Sequence, residues 1–537
     1  MSNWNFADAY EAIASRIPDA PAHLSGDQVL TWSEWDRRAN ALAADLIAAG
    51  LGQQAKVAAY LYNGPEYLEV YLGAWKAGMV PVNTNYRYGP DEVAYLFDNA
   101  DAEAVVFHTS FSPILERVRS GLPRVRRWYA VDDGPPVPEW AVGYETVVAG
   151  GADRVAGPWG RRGDDLLMLY TGGTTGMPKG VMWRQDDLFN VLGGGGNPIL
   201  GTPPAADYEE LAGRITEAGA RMLTACPLMH GTGQFSALIN LNGGGCIVTI
   251  PDRSFDPERL WQTVQDKQVN AVIIVGDAFA KPMLAALESN PGRWDLSSLL
   301  LISSSGVMWS QETKDGLLRQ IPLVILFDSL GSSEAVGAGA SFSTAGSAAG
   351  TAKFSLGERV KVFTEDGRPV EPGSGDIGML AIGGLIPVGY YKDEEKTART
   401  FRTFAGERYS VPGDFAAVNA DGSIQLLGRG SVCINTGGEK VFPEEVEEVL
   451  KLHPAVRDAV VVGVPDERFG EAIAAVIEPM PGETVDDQSV IEHVHGLLAR
   501  YKAPRHVVTV STIGRSPAGK VDYKGLRELA TKEVADR

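Results

Sequence analysis

Helical and extended patterns alternate along most of this chain, and that alternation constrains the fold more than any other feature. "EYLEVYLGAWKAG" has helical periodicity and "PVNTN" leaves it. "PDEVAYLFDNA" starts with proline in its first turn and runs into the apolar stretch "AEAVVFH". "DPERLWQTVQDKQ" opens on an aspartate cap and is followed by "NAVIIVG". "SQETKDGLLRQI", with Ser310 as its expected cap and Glu312 in its first turn, leads into "PLVILFDS". Strands that alternate with helices in this way form parallel sheets covered by helices, so the expected class is α/β.

The pattern changes after residue 428. "GRGSVCINTGGEKVF" is a glycine-rich bridge. Beyond it come a helix from Pro443, the strands "DAVVVGV" and "EAIAAVIEP", a helix over "DQSVIEHVHGLLARY", the strand "HVVTVS", and a loop ending at Lys520. About 110 residues suffice for a small α+β domain. The expected organisation is a large body over residues 1–428, a hinge over 429–432 and a mobile lid over 433–537.

Residues 170–180, "YTGGTTGMPKG", hold four glycines, three threonines and one lysine. Glycines let backbone N–H groups turn inward, threonines add hydroxyl donors, and lysine adds a point charge. The buried-strand pattern "DLLMLY" precedes the loop, and "VMW" after it reads as extended. A strand, a Gly/Thr loop and a lysine in that order suit a nucleotide triphosphate. The P-loop NTPase pattern is absent, because Pro178 precedes Lys179 and Gly180 follows it. A second glycine pattern, Gly373, Gly375 and Gly378, follows a turn and precedes a strand, so it is not a dinucleotide fingerprint. No G-x-S-x-G is present, which speaks against an α/β-hydrolase.

Bulk properties exclude several classes. The net charge is −20 with no basic cluster, which argues against nucleic acid and anionic membrane surfaces. Cys226, Cys246 and Cys433 lie far apart, so neither a disulfide frame nor a metal cluster is expected, and the setting is a reducing cytoplasm. The N-terminus carries early charges and is no signal peptide. The uncharged run over residues 222–251 contains Pro227, His230, Asn240, Asn242 and several glycines. It reads as buried strands and loops, not as a membrane span.

Five segments taken in order, "YTGGTTGMPKG", "PLMHGTG", "LGSSE", "PGD" with "GRGSVCINTGGEKVFPEEVE", and "SPAGK", resemble the core motifs of the adenylate-forming superfamily. The likeness spans nearly the whole chain. It implies a small β-barrel within the body, and ATP, Mg²⁺ and coenzyme A as participants with a carboxylic acid. Thr171, Gly172, Gly173, Thr174, Thr175, Gly176 and Lys179 are implied to hold the β and γ phosphates. Glu334 is implied as the Mg²⁺ ligand, with Ser333 at the α-phosphate. Ser305 and Gly306 are implied to line the adenine, Leu330 stands at the adenine-stacking position, and Asp328, Ser329 and Gly331 are implied to bind ATP. Asp414 and Arg429 are implied at the ribose. Lys520 is implied to reach from the lid to the carboxylate and the α-phosphate, where its charge stabilises the transition state. Gly437 and Gly438 are implied beside the pantetheine tunnel, and His230 as the gate between acyl pocket and thiol channel.

Three positions depart from the superfamily pattern. Gly172 stands where serine is usual, Leu330 where tyrosine stacks on adenine, and Val432 at the hinge, where Gly430 and Ser431 supply flexibility instead. These variants, with "INTGGEKVFPEEVEEVL", resemble an actinobacterial acyl-CoA synthetase subgroup acting on steroid side-chain carboxylates. The run Gly193 to Gly196 would leave room for a bulky ring system, or would serve as a flexible loop. The leading expectation is therefore an AMP-forming acyl-CoA synthetase of fatty-acid or steroid-acid type. The alternatives are a stand-alone ligase loading a carrier protein and a non-catalytic nucleotide-binding homologue. The sequence leaves open a homo-oligomer, the particular acid and the pathway.

Overall fold

The computed structural model describes residues 3–171, 177–197, 202–307, 309–346, 353–436, 439–466, 470–515 and 521–536. Its strands form three sheets. In the eight-stranded sheet, parallel strands Lys56–Tyr60, Val80–Asn83, Ala102–His108 and Arg127–Val131 lie beside Leu166–Thr171. Lys179–Arg184 then pairs antiparallel with Leu166–Thr171, from Leu166 opposite Arg184 to Thr171 opposite Lys179. Val57 and Ala59 belong to one apolar cluster, while Ala58 and Tyr60 belong to another. Alternate residues thus enter opposite cores, as expected of a parallel sheet covered on both faces.

The largest sheet contains the parallel run Cys246–Thr249, Arg221–Thr224, Ala271–Ile274, Leu301–Ser305 and Ile325–Ser332. Ile325–Ser332 turns back antiparallel into Ala335–Ser343, with Ser332 opposite Ala335. Strands between Lys353 and Arg429 extend this sheet in an open order. Among the described residues the strand pairing does not close into the implied barrel.

The C-terminal unit has its own five-stranded sheet, starting at Ile434–Thr436. In its long strand Val456–Asp466, Ala459 and Val461 face one apolar cluster, and Val460, Val462 and Val464 the other. Helices Pro443–Lys451, Asp487–Leu497 and Tyr523–Ala535 accompany the sheet. This is an α+β layout. The expected helix over residues 487–501 stops at Leu497, and a short 3₁₀ turn covers Arg500–Lys502.

Local expectations hold with two physical corrections. Asp256 caps helix Pro257–Asp266 by accepting from the N–H groups of Glu258 and Arg259. Ser310 occupies the cap position of helix Gln311–Gln320, but its hydroxyl pairs with the Thr313 hydroxyl at 2.8 Å instead of a backbone N–H. The uncharged run 222–251 is not only strand and loop: it contains helix Gly231–Asn242, whose buried residues include Phe235, Leu238 and Leu241. Their helical spacing was hidden among glycines and asparagines.

Candidate active site

The candidate site lies where strands of both large sheets end. Ser305 ends its strand and stands opposite Ser329, the last residue of Ile325–Ser332 in the parallel pairing. Ligands of open α/β sheets bind at such ends. Gly306 follows with φ +89°, a left-handed conformation that favours glycine, and a Cβ there would meet Thr232. The ATP-binding candidates Ser305, Gly306, Ser329, Leu330 and Gly331 are thereby brought together beside the helix that follows His230.

Ser333 and Glu334 are the two central residues of the tight hairpin joining Ile325–Ser332 to Ala335–Ser343. Their backbone is anchored: the Trp183 indole N–H donates to the Ser333 carbonyl at 2.9 Å. The Glu334 carboxylate accepts from the Tyr390 hydroxyl at 2.7 Å. A single carboxylate at a hairpin tip fits a hard cation that takes its remaining ligands from phosphate oxygens and water, as Mg²⁺ does. Among the described residues no group of three or more His, Cys, Asp or Glu side chains could hold a metal by itself.

Lys179 begins its strand opposite Thr171, so the strand pair holds both ends of the Gly/Thr loop together. Its ammonium lies 2.7 Å from Asp393, which raises the Lys179 pKa and lowers that of Asp393. The loop residues Gly172, Gly173, Thr174, Thr175 and Gly176 lie outside the described residues, as do Gly437, Gly438 and Lys520.

Asn83, which sequence reasoning missed, joins the strand before this loop to the segment that carries His230. It is 2% exposed, accepts from the Tyr170 N–H at 2.5 Å, and donates to the carbonyls of Tyr170 (2.8 Å) and Met229 (2.7 Å). His230 is thus placed one residue from a direct tether to the phosphate-loop strand. Asn63 clamps the same segment, donating to the carbonyls of Thr224 and Cys226 and accepting from the Leu228 N–H. A polar residue inside the otherwise apolar strand "VPVN" was the available signal for Asn83, since a buried amide must find partners. Tyr390 and Asp393 were missed too. They lie in "GYYKDEEKT", which carries no strong periodicity.

Asp414 and Arg429 stand directly opposite each other on antiparallel strands Asp414–Val418 and Ile424–Arg429. The two ribose candidates therefore share one edge. Asp328 lies deeper. Its carboxylate bonds Lys314 Nζ at 3.0 Å, with side chains 10% and 2% exposed. Burial raises the Asp328 pKa despite that lysine. In the Gly193–Gly196 run, side chains on Gly194, Gly195 and Gly196 would meet Pro204, Leu211 and Pro203. These glycines pack closely against residues 203–204 and the helix Tyr208–Arg214.

A cleft of about 810 Å³ between the body and the C-terminal unit borders the site at Pro227 and Val307. Its walls carry a row of guanidinium and tyrosine groups. The Arg253 guanidinium lies 3.8 Å over the Tyr62 ring, Tyr62 and Tyr86 are 4.8 Å apart, and Arg87 lies 5.6 Å from the Tyr86 ring. Arg457 and Arg515 face it from the small domain.

Comparisons with known proteins agree with this architecture. Residues 10–391 match the family described as AMP-binding enzyme, and residues 445–520 match the AMP-binding enzyme C-terminal domain. A medium/long-chain-fatty-acid–CoA/3-oxocholest-4-en-26-oate–CoA ligase of Mycobacterium marinum is 40% identical over 99% of this chain and 98% of its own. A 3-oxocholest-4-en-26-oate–CoA ligase of Rhodococcus rhodochrous is 41% identical over 99% of this chain and 97% of its own. The anthranilate CoA ligase AuaEII, solved with anthranoyl-AMP, superposes with TM-score 0.84 at 21% identity, covering 100% of this chain and 99% of that one, and so shares the fold. The chain belongs to the AMP-binding enzyme family.

Proposed function

We propose that this protein is an ATP-dependent acyl-CoA synthetase that activates a long-chain or steroid side-chain carboxylic acid as acyl-AMP and passes the acyl group to coenzyme A. The observation that carries the reading is that Lys179, Ser333 and Glu334 are tied together, through Trp183 on the Lys179 strand to the Ser333 carbonyl and through Tyr390 and Asp393 to Glu334 and Lys179, within a chain of this family. Activation must bring a carboxylate to a triphosphate, so like charges meet. Lys179 offsets phosphate charge, and the Ser333 hydroxyl donates to the α-phosphate in this reading. Mg²⁺, held through Glu334, would neutralise developing charge on the phosphate oxygens. Asp414 accepts from the ribose hydroxyls, and Lys520 supplies the charge for the first step from the small domain.

The cleft supports coenzyme A as acceptor. Paired tyrosine rings flanked by guanidinium groups suit a phosphorylated nucleotide, since arginine both stacks on π-faces and grips phosphate. The names of the mycobacterial and rhodococcal relatives support a bulky or long acid. The buried thiols of Cys226 and Cys246 fit a cytoplasmic setting, and no helix among the described residues is long and apolar enough to cross a membrane.

The test is a screen of carboxylates for AMP release with and without coenzyme A. AMP and pyrophosphate are the expected products, with a C24 or C27 sterol acid exceeding acetate in kcat/KM. ADP as the main product ends the reading. Acyl-AMP that reacts only with a carrier protein redirects it to the carrier-loading alternative.

A further inference from the structure

One short turn, residues 389–393, holds both charged groups of the proposed phosphate site, and it holds them differently. Tyr390 gives Glu334 a neutral hydroxyl donor. Such a contact is compatible with a cation on the carboxylate's remaining lone pairs. Asp393 gives Lys179 a full opposite charge at 2.7 Å. The turn itself is firmly built. The Asp393 carboxylate also caps helix Glu394–Thr400 by accepting from the Lys396 N–H at 2.9 Å. The Thr397 hydroxyl donates to the Asp393 carbonyl and accepts from the Tyr390 N–H. Lys396 lies 4.4 Å over the Tyr390 ring.

We propose that Asp393 is a built-in stand-in for phosphate: it holds the Lys179 ammonium at the loop before nucleotide arrives, and it competes with the triphosphate for that charge afterwards. This rests on Lys179 being the phosphate lysine. A phosphate oxygen that reaches the ammonium must either approach the Asp393 carboxylate or draw the lysine off it. Two anions that share one partly exposed lysine repel, and added salt weakens the repulsion. A fixed carboxylate on the same lysine therefore weakens nucleotide binding, and it favours departure of pyrophosphate. The pair is partly exposed, 33% and 18%, so it opens at small cost.

The sign of the effect separates this role from a purely supporting one. If Asp393 served only to order Lys179, removing its charge would weaken nucleotide binding. As a competitor, its removal must tighten binding. Asp393→Asn keeps an oxygen to cap the helix and loses the charge, and Asp393→Ser also caps. Calorimetric titration with Mg-ATP should show Kd falling roughly two- to five-fold in both variants, the size of one exposed ion pair. The gap should narrow as salt is added, and Asp393→Glu should restore the native value. Unchanged or weaker binding in Asp393→Asn and Asp393→Ser, with acid-dependent AMP release intact in the native protein, overturns the stand-in and leaves the proposed function standing. A native protein that neither binds Mg-ATP nor releases AMP with any acid overturns both.

Discussion

Two lysine–aspartate pairs flank the site, Lys179–Asp393 and Lys314–Asp328, with nearly equal contact distances of 2.7 and 3.0 Å. Their surroundings differ. The first is one-third exposed on its lysine side; the second is 2% and 10% exposed, with its ammonium 5.6 Å from the buried Trp309 ring. Water screens the first pair and weakens it, so it can exchange partners. Around the second, loss of hydration is large and each charge depends on the other. The same two residue types therefore form a working contact in one place and a structural one in the other. Asp328, expected to bind ATP, is held by the structural pair.

The largest expected effect breaks the buried pair. Lys314→Ala leaves the Asp328 carboxylate buried without its partner and should cost about 3–5 kcal/mol of stability, read as a lower urea midpoint at unchanged slope. A loss below about 1 kcal/mol, the range of an exposed pair, would erase the distinction between the two pairs.

The second effect falls on activity. Lys179→Ala should change stability by less than about 1 kcal/mol, while acid-dependent AMP release falls on the order of 10²-fold. Comparable activity in this variant at saturating ATP would remove Lys179 from the phosphate site.

The smallest concerns Glu448, on the small domain's helix Pro443–Lys451, whose ionisation responds to Lys451, Asp277, Lys314 and Asp328. Burial pushes its pKa up to about 7 from 4.5. A carboxyl raised on folding contributes stability that is fully present below its unfolded pKa and lost as pH rises through the folded one. Stability should therefore decline from about pH 4.5 to about 7, with a slope of at most ~1.4 kcal/mol per pH unit from this group. Glu448→Gln should flatten that part of the curve in urea titrations. An identical slope in the variant would assign the decline to other buried carboxyls.

Much of the fold was legible because its signals are local. Helix Pro90–Asn99 and strand Ala102–His108 appear where proline placement and apolar runs put them. The order of the charged and glycine-rich segments was equally readable, and so was the family likeness. The helix at Gly231–Asn242 was not, because its apolar spacing is interrupted by polar residues that find partners only in the folded chain: Asn240 donates to the carbonyls of Ala220 and Cys246.

What the sequence by itself determined, then, is what depends on neighbours within a few residues: element type, element order, and the glycine and hydroxyl chemistry of the loop. The tertiary structure alone decided the partners. Asn83 finds Tyr170 and Met229 across 87 and 146 residues, and Tyr390 finds Glu334 across 56. It also decided that Lys179 meets Asp393 in partial contact with water while Lys314 meets Asp328 away from it. The reason is physical. Local propensity acts through backbone geometry over one or two turns, whereas the strength of a charge pair is set by how much water the packed fold leaves around it.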